Sequence, residues 1–204
     1  LQEIQYQKIL NNLGYINIRI FNQDTLEELG HALDQLSEAE ALIIDLRTNP
    51  GGLLSSAIQA TAMFLDTKKH PGGDITHIFS RHEHIQVPLP EDTLDQSHHK
   101  PIFILTSSTT ASGAEIFAAT LQHYKRATLI GSTTHGKGTI QTLLPLDDGS
   151  MIKLTTGYFT TPSGDSINEV GVIPDYEITP DDPVILPKVA QIIRHNLNVT
   201  ETYP

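Results

Sequence analysis

The chain contains no cysteine in 204 residues. That excludes disulfides, thiolate-held metal and cysteine nucleophiles. It suits an oxidising compartment, where a stray thiol is a liability, without requiring one. Positive charge is also scarce. Thirteen Lys and Arg stand against 24 Asp and Glu, a formal net charge of −11. An acidic surface argues against nucleic acid or anionic lipid as the main partner. No apolar run has the roughly 20 residues of a membrane-spanning helix. Leu1 is followed by polar residues, with neither an initiating Met nor a signal peptide. We therefore expect a piece of a longer or processed protein, with any export signal outside these residues. Repeats, low-complexity tracts and internal linkers are also missing.

What is there is an ordinary globular composition, 38% hydrophobic and 18% charged, sized for one sizeable core. Residues 1–10 alternate in part and residues 15–21 alternate well, with the turn signal Asn11-Asn12-Leu13-Gly14 between them. An opening hairpin is predicted. Leu26, Leu29, Leu33 and Leu36 form the apolar stripe of a helix begun by Asp24 or Thr25. Residues 41–46 (ALIIDL) are a continuous apolar run, the mark of a strand covered on both faces. Asn49-Pro50-Gly51-Gly52 ends that run, and a nearly uncharged helix over 53–65 follows. The same strand, sharp turn and helix recur over 102–124. Two such units predict parallel strands joined by crossover helices. Between them lie strands at 74–81 and 85–88 and a polar connection, 89–100, expected to be exposed. Asp148-Gly149 between the alternating runs 139–146 and 150–160 is a hairpin signal. Residues 170–178 contain Pro174 and read as an edge strand. A last amphipathic helix starts at Asp181-Asp182-Pro183 and runs to about Leu197. The whole, residues 1–204, reads as a single α/β domain.

Three places carry potential chemistry. Ser112 sits where a buried strand turns into a helix. There the helix N–H groups and positive dipole end lie beside its hydroxyl, where a nucleophile and its oxyanion are well placed. A serine at that point also serves simply as a helix cap, as Thr109 or Thr110 would. The turn at Gly51-Gly52 ends a neighbouring strand. Glycines there let backbone N–H groups approach a ligand, or merely turn the chain. Lys137 lies between Gly136 and Gly138, 25 residues after Ser112, and an apolar strand follows. A lysine shielded from water is a general base; one in an exposed loop is only a surface charge. Gln141, four residues on, is close enough to orient the amine or simply meets solvent. Ten histidines, including the pairs His82/His84 and His98/His99, show no acidic ligand pattern and no helical H-x-x-x-H spacing. No metal site is predicted.

Taken in order, Asp45-Leu46-Arg47-x-Asn49-Pro50-Gly51-Gly52, then Ala111-Ser112-x-x-Glu115-Ile116, then Gly136-Lys137-Gly138-x-x-Gln141, resemble the S41 serine peptidases. These are the carboxyl-terminal processing, or tail-specific, proteases. The downstream Leu154-Thr155-Thr156, Thr161-Pro162-Ser163-Gly164 and Gly171-Val172-Ile173-Pro174-Asp175 match too, so the resemblance covers residues 14–178. It implies an α/β core of the crotonase-like or ClpP-like kind, a mixed, mostly parallel sheet flanked by helices with added β-hairpins. It implies Ser112 as nucleophile, Lys137 as general base and Gln141 as the residue positioning the lysine. Gly52 and Gly113 supply the oxyanion hole. It implies no metal or organic cofactor, a protein or peptide substrate cut near an apolar C-terminus held as an added strand, and an extracytoplasmic location. The oligomeric state stays open. Thr109-Thr110 and Gly113-Ala114 depart from the family's usual residues; Gly113-Ala114 brings the turn nearer to its retinoid-binding-protein branch, an apolar-ligand or peptide-binding alternative that usually lacks the lysine. His123 and His135 replace an acidic and an aromatic residue; for His135 we expect a pocket-lining or surface role. The PDZ domain with which the family usually captures substrate tails has no counterpart in the sequence.

Overall fold

The computed structural model describes residues 3–10, 12–179 and 185–200, with side chains described up to Leu197. The first sheet has six strands in the order β1-β2-β3-β6-β7-β10. They are Ile4–Ile9, Leu13–Ile18, Ala41–Asp45, Ile102–Thr106, Ala127–Gly131 and Tyr176–Glu177. Only β1 and β2, the expected hairpin, pair antiparallel; every other pairing is parallel. The sheet is therefore mixed and mostly parallel, as the repeated strand-turn-helix pattern implies.

The unbroken apolar runs are explained by two-sided burial. In β3 and β6, Leu42, Ile44, Ile102 and Ile104 pack beneath helices α1 (Thr25–Gln35), α2 (Leu54–Ala62) and α3 (Gly113–His123). Their alternates Ala41, Ile43, Phe103 and Leu105 face Ile185, Val189, Ala190 and Ile193 of the last helix, α4 (Ile185–Thr200). A strand side chain flips face at each step, so both alternating sets must be apolar. Each fully buried Ile or Leu contributes about 1.5–3 kcal/mol. The predicted start of the last helix, Asp181 to Pro183, lies outside the described residues.

A second, antiparallel sheet has the order β5-β4-β9-β8, from His84–Pro88, Asp74–Ser80, Met151–Thr160 and Thr139–Pro145. β4 pairs only with the last four residues of β9, Gly157 to Thr160. The rest of β8 and β9 is a two-stranded ribbon.

Two stretches differ from expectation. Residues 170–178 form no long edge strand; only Tyr176 and Glu177 pair, parallel to Ile130 and Gly131. Pro174 has no N–H to give, and Gly171 holds φ at +75°, so the chain is a shaped loop before it reaches the sheet. Residues 89–100 are not simply exposed. Leu89, Asp95 and Ser97 are buried. Asp95 accepts Arg126 Nε at 2.6 Å and the Ser97 N–H and hydroxyl, at 2.9 and 2.5 Å. The loop is thus clasped to the segment between α3 and β7. Burial alone would raise the Asp95 carboxyl pKa, but the bonds from Arg126 and Ser97 outweigh it and hold it below the ordinary range.

A carboxyl whose pKa is lowered on folding stabilises the fold at pH above its unfolded value, and the contribution fades as pH falls below that value. Asp95→Asn is therefore expected to destabilise the protein by about 3–5 kcal/mol near neutrality, because Arg126 is left uncompensated. In urea titrations the gap between wild type and variant should shrink below about pH 4. A gap that does not change with pH would contradict this.

Candidate active site

The carboxyl ends of β3 and β6 deliver two turns to one place. Asn49, completely buried, joins them. Its Nδ2 donates to the Ile18 carbonyl at 2.9 Å, its Oδ1 takes the Gly51 N–H at 2.8 Å, and its own carbonyl takes the Ala111 N–H at 3.0 Å. Gly51 and Gly52 sit at φ +104° and +127°, a left-handed conformation that favours glycine. Space demands it as well. A Cβ on Gly52 would fall 2.0 Å from the Phe21 carbonyl oxygen, and one on Gly51 2.7 Å from Ser112 Cβ. The Gly51 backbone therefore lies directly against the serine.

Ser112 itself has φ +56° and ψ −122° just before α3. A non-glycine residue held there costs on the order of 1–3 kcal/mol and needs its surroundings to enforce it. A sharp strand-to-helix turn of this kind exposes the nucleophilic serine in α/β-hydrolase folds. Here the enforcing group is Glu115, whose side chain is fully buried. Its carboxylate accepts the Ser112 N–H at 2.8 Å, closing a capping box. It also accepts the Thr134 hydroxyl at 2.5 Å, the Gly136 N–H at 2.7 Å and the Lys137 N–H at 2.9 Å. One carboxylate thus ties the serine turn to the lysine loop. Glu115 was visible in the sequence only as part of a motif; its i+3 spacing from a capping serine was the signal that could have found it.

The other side of the lysine loop is fixed by the downstream tail. Thr134 N–H donates to the Val172 carbonyl, and Glu169 N–H to the Gly136 carbonyl. Lys137 is half-buried. β8 begins two residues later, with a register irregularity at Ile140/Gln141 that shifts the pairing of Gln141 to Thr155. Bulges of this kind re-aim side chains beside sites.

Gly52, Ser112, Lys137 and Gln141 together line one cleft of about 400 Å³, with Leu53, Leu54, Ile140, Leu143 and Phe159 as its apolar walls. Gly113 follows Ser112 as the first residue of α3. Neither Gly52 N–H nor Gly113 N–H has a protein acceptor among the described residues; Gly52 lines the cleft, whereas Gly113 is buried and not among its lining residues. No hydrogen bond joins the Ser112 hydroxyl and the Lys137 amine among the described residues; catalytic contacts are often loose before substrate binds.

The departing residues find their places. The Thr110 hydroxyl donates to the Leu46 carbonyl at 2.8 Å and accepts the Ser107 N–H at 3.0 Å, so the position uses a hydroxyl that Ser or Thr can supply. His135 is exposed, and its N–H donates to the Thr110 carbonyl. His123 lies at the far end of α3, edge-on to Tyr124 and away from the cleft.

Two larger clefts lack such a nucleophile. One, of about 650 Å³, lies between α1, α2 and residues 91–96. The other, of about 610 Å³, lies at the carboxyl ends of β2 and β3. In the second, Asp45 accepts the Tyr15 hydroxyl at 2.6 Å and the Arg47 guanidinium. Burial, then the Asp45 charge, pushes the Tyr15 phenol upward. The Arg47 carbonyl takes the Ser107 and Thr109 hydroxyls, so this cluster braces the serine turn from behind.

The site thus joins a strained serine at a strand-to-helix elbow of an α/β fold and a lysine in the lining of one cleft. Comparison with known proteins gives the family. Peptidase family S41 matches residues 12–178. The carboxy-terminal processing protease CtpA of Bacillus subtilis is 38% identical over 179 residues, covering 87% of this chain and 37% of that protein. The carboxy-terminal-processing protease of Bartonella bacilliformis is 34% identical over 174 residues, covering 82% of this chain and 39% of that protein. The photosystem II D1 C-terminal processing protease superposes with a TM-score of 0.78 at 28% identity, over 94% of this chain and 52% of that one. The chain belongs to peptidase family S41 and spans about two-fifths of the length of these curated relatives.

Gly51→Ala should displace the Ser112 elbow by the better part of an ångström. We expect acylation of Ser112 by a fluorophosphonate to slow by about 100-fold. Glu115→Gln puts an amide donor against donors. It should destabilise the fold by about 2–3 kcal/mol in urea titrations. Wild-type stability in the glutamine variant would show that the four bonds do not matter.

Proposed function

We propose that this domain is a serine endopeptidase working through a Ser112–Lys137 dyad. What supports this is the convergence of Gly52, Ser112, Lys137 and Gln141 on one cleft, with the serine in a strained elbow. The neutral amine of Lys137 takes the Ser112 hydroxyl proton as Oγ bonds to the peptide carbonyl carbon. The N–H groups of Gly52 and Gly113 hold the resulting oxyanion. The C–N bond then breaks, and Lys137 returns the proton to the leaving amine. Water repeats the sequence on the acyl-enzyme, releasing the new carboxyl end and restoring Ser112. Gln141 orients the lysine amine. None of these steps calls for a metal or organic cofactor.

The apolar walls of the cleft suit aliphatic substrate residues, in keeping with cleavage near apolar C-termini. We place the activity outside the cytoplasm, as the resemblance to the S41 peptidases implies. No described helix is long and apolar enough to cross a membrane.

Ser112→Ala and Lys137→Ala should each lower cleavage of an unfolded protein substrate by on the order of 10⁴-fold or more, with unchanged circular dichroism. Cleavage that survives both changes would refute the dyad. A domain that only binds peptides would also leave Ser112 unlabelled by a fluorophosphonate.

A further inference from the structure

One wall of the cleft is the β8–β9 ribbon. Across it Gln141 pairs with Thr155 and Leu143 with Lys153. Residues two apart on a strand share a face, so these four point the same way. Gln141, Leu143 and Lys153 line the cleft. Its cations are Lys137 and Lys153, and no Asp or Glu lines it among the described residues. In a chain of net charge −11 this is a local reversal of sign. Lys153 makes no ion pair among the described residues. The acids closest to it along the ribbon, Asp147 and Asp148, sit at its tip, where Asp148 already accepts the Ser150 N–H and hydroxyl.

Concave sites lined by one sign of charge concentrate their field on a ligand of the other sign. Lys153 stands two cross-strand rows beyond Gln141, roughly 7 Å along the ribbon. An extended peptide advances at the same rise. A substrate running along the ribbon with its scissile carbonyl level with Gln141 presents to Lys153 a residue two or three positions away.

Resting on the peptidase reading above, we propose that Lys153 is a specificity-determining residue. It selects substrates that carry a carboxylate two or three residues from the scissile bond. That carboxylate is an Asp or Glu side chain, or the free C-terminus of a short leaving fragment. Lys153 does not act on the reacting atoms; Lys137 alone is the base.

The test uses quenched fluorescent peptides of one apolar core sequence. Glu or Gln is placed in turn at each of the three positions on either side of the cleaved bond. A further pair ends in a free carboxylate or a carboxamide three residues after the bond. The wild-type chain should prefer Glu over Gln, or acid over amide, by about threefold to fivefold in kcat/KM at one position. The preference should vanish in Lys153→Met, invert in Lys153→Glu and weaken as salt rises. A Glu:Gln preference confined to side-chain positions identifies an acidic residue as the ligand; an acid:amide preference identifies the C-terminus. Equal ratios in wild type and Lys153→Met at every position would overturn the proposal. Anisotropy of the same peptides on Ser112→Ala reads the preference without turnover. A preference there, with no cleavage by wild type, would refute the peptidase reading and uphold Lys153; cleavage with no preference in either assay would do the reverse.

Discussion

A single buried carboxylate holds the candidate site together. Glu115 lies on the first turn of α3 and takes four donors from two separate stretches of chain. In an interior of low dielectric an acceptor left unmatched is costly, and so is each donor aimed at it. Moving the lysine loop away would strand the carboxylate; moving the serine turn away would do the same. The serine turn and the lysine loop are thereby forced to keep one relative position. The unfavourable φ of Ser112 persists because its own N–H is one of the four donors.

The rest of the fold supplies this arrangement with walls that cannot yield. On one side Gly51 touches Ser112 so closely that no side chain fits between them. Behind it Asn49 spans β2, the Gly51 turn and Ala111, and Asp45 with Arg47 secures the turn after β6. On the other side the tail around Val172 closes over the lysine loop through Thr134, whose hydroxyl donates to Glu115 and accepts the Val172 N–H. The parallel sheet, buried on both faces, is the rigid body from which all of these turns emerge. Among the described residues the backbone N–H groups of Gly52 and Gly113 have no protein acceptor.

Much of this was legible in residue order. Strands over 41–46 and 102–105 announced themselves by unbroken apolar runs, and the Asp148-Gly149 hairpin by its turn chemistry. Less legible was the loop 89–100. It reads as polar and exposed because Asp95, Ser97 and Arg126 are polar, yet they satisfy one another and so can be buried. Residues 170–178 carry strand-like apolar spacing, but Gly171 and Pro174 spoil the ladder until Tyr176. Thr110 looked like a departure; its hydroxyl turns out to be the part that matters.

The sequence by itself determined the parallel α/β order, the family, and which serine, lysine and glycines stand in its motifs. Periodicity and motif spacing are local, and one dimension is enough to carry them. Only the tertiary structure decided that Glu115 bonds both the serine turn and the lysine loop, and that Asn49 clamps three segments. It alone brought Lys153 to the cleft. Those facts depend on contacts between residues distant along the chain, such as the 41 positions from Ser112 to Lys153. No local pattern encodes such contacts; packing the two sheets against the helices creates them.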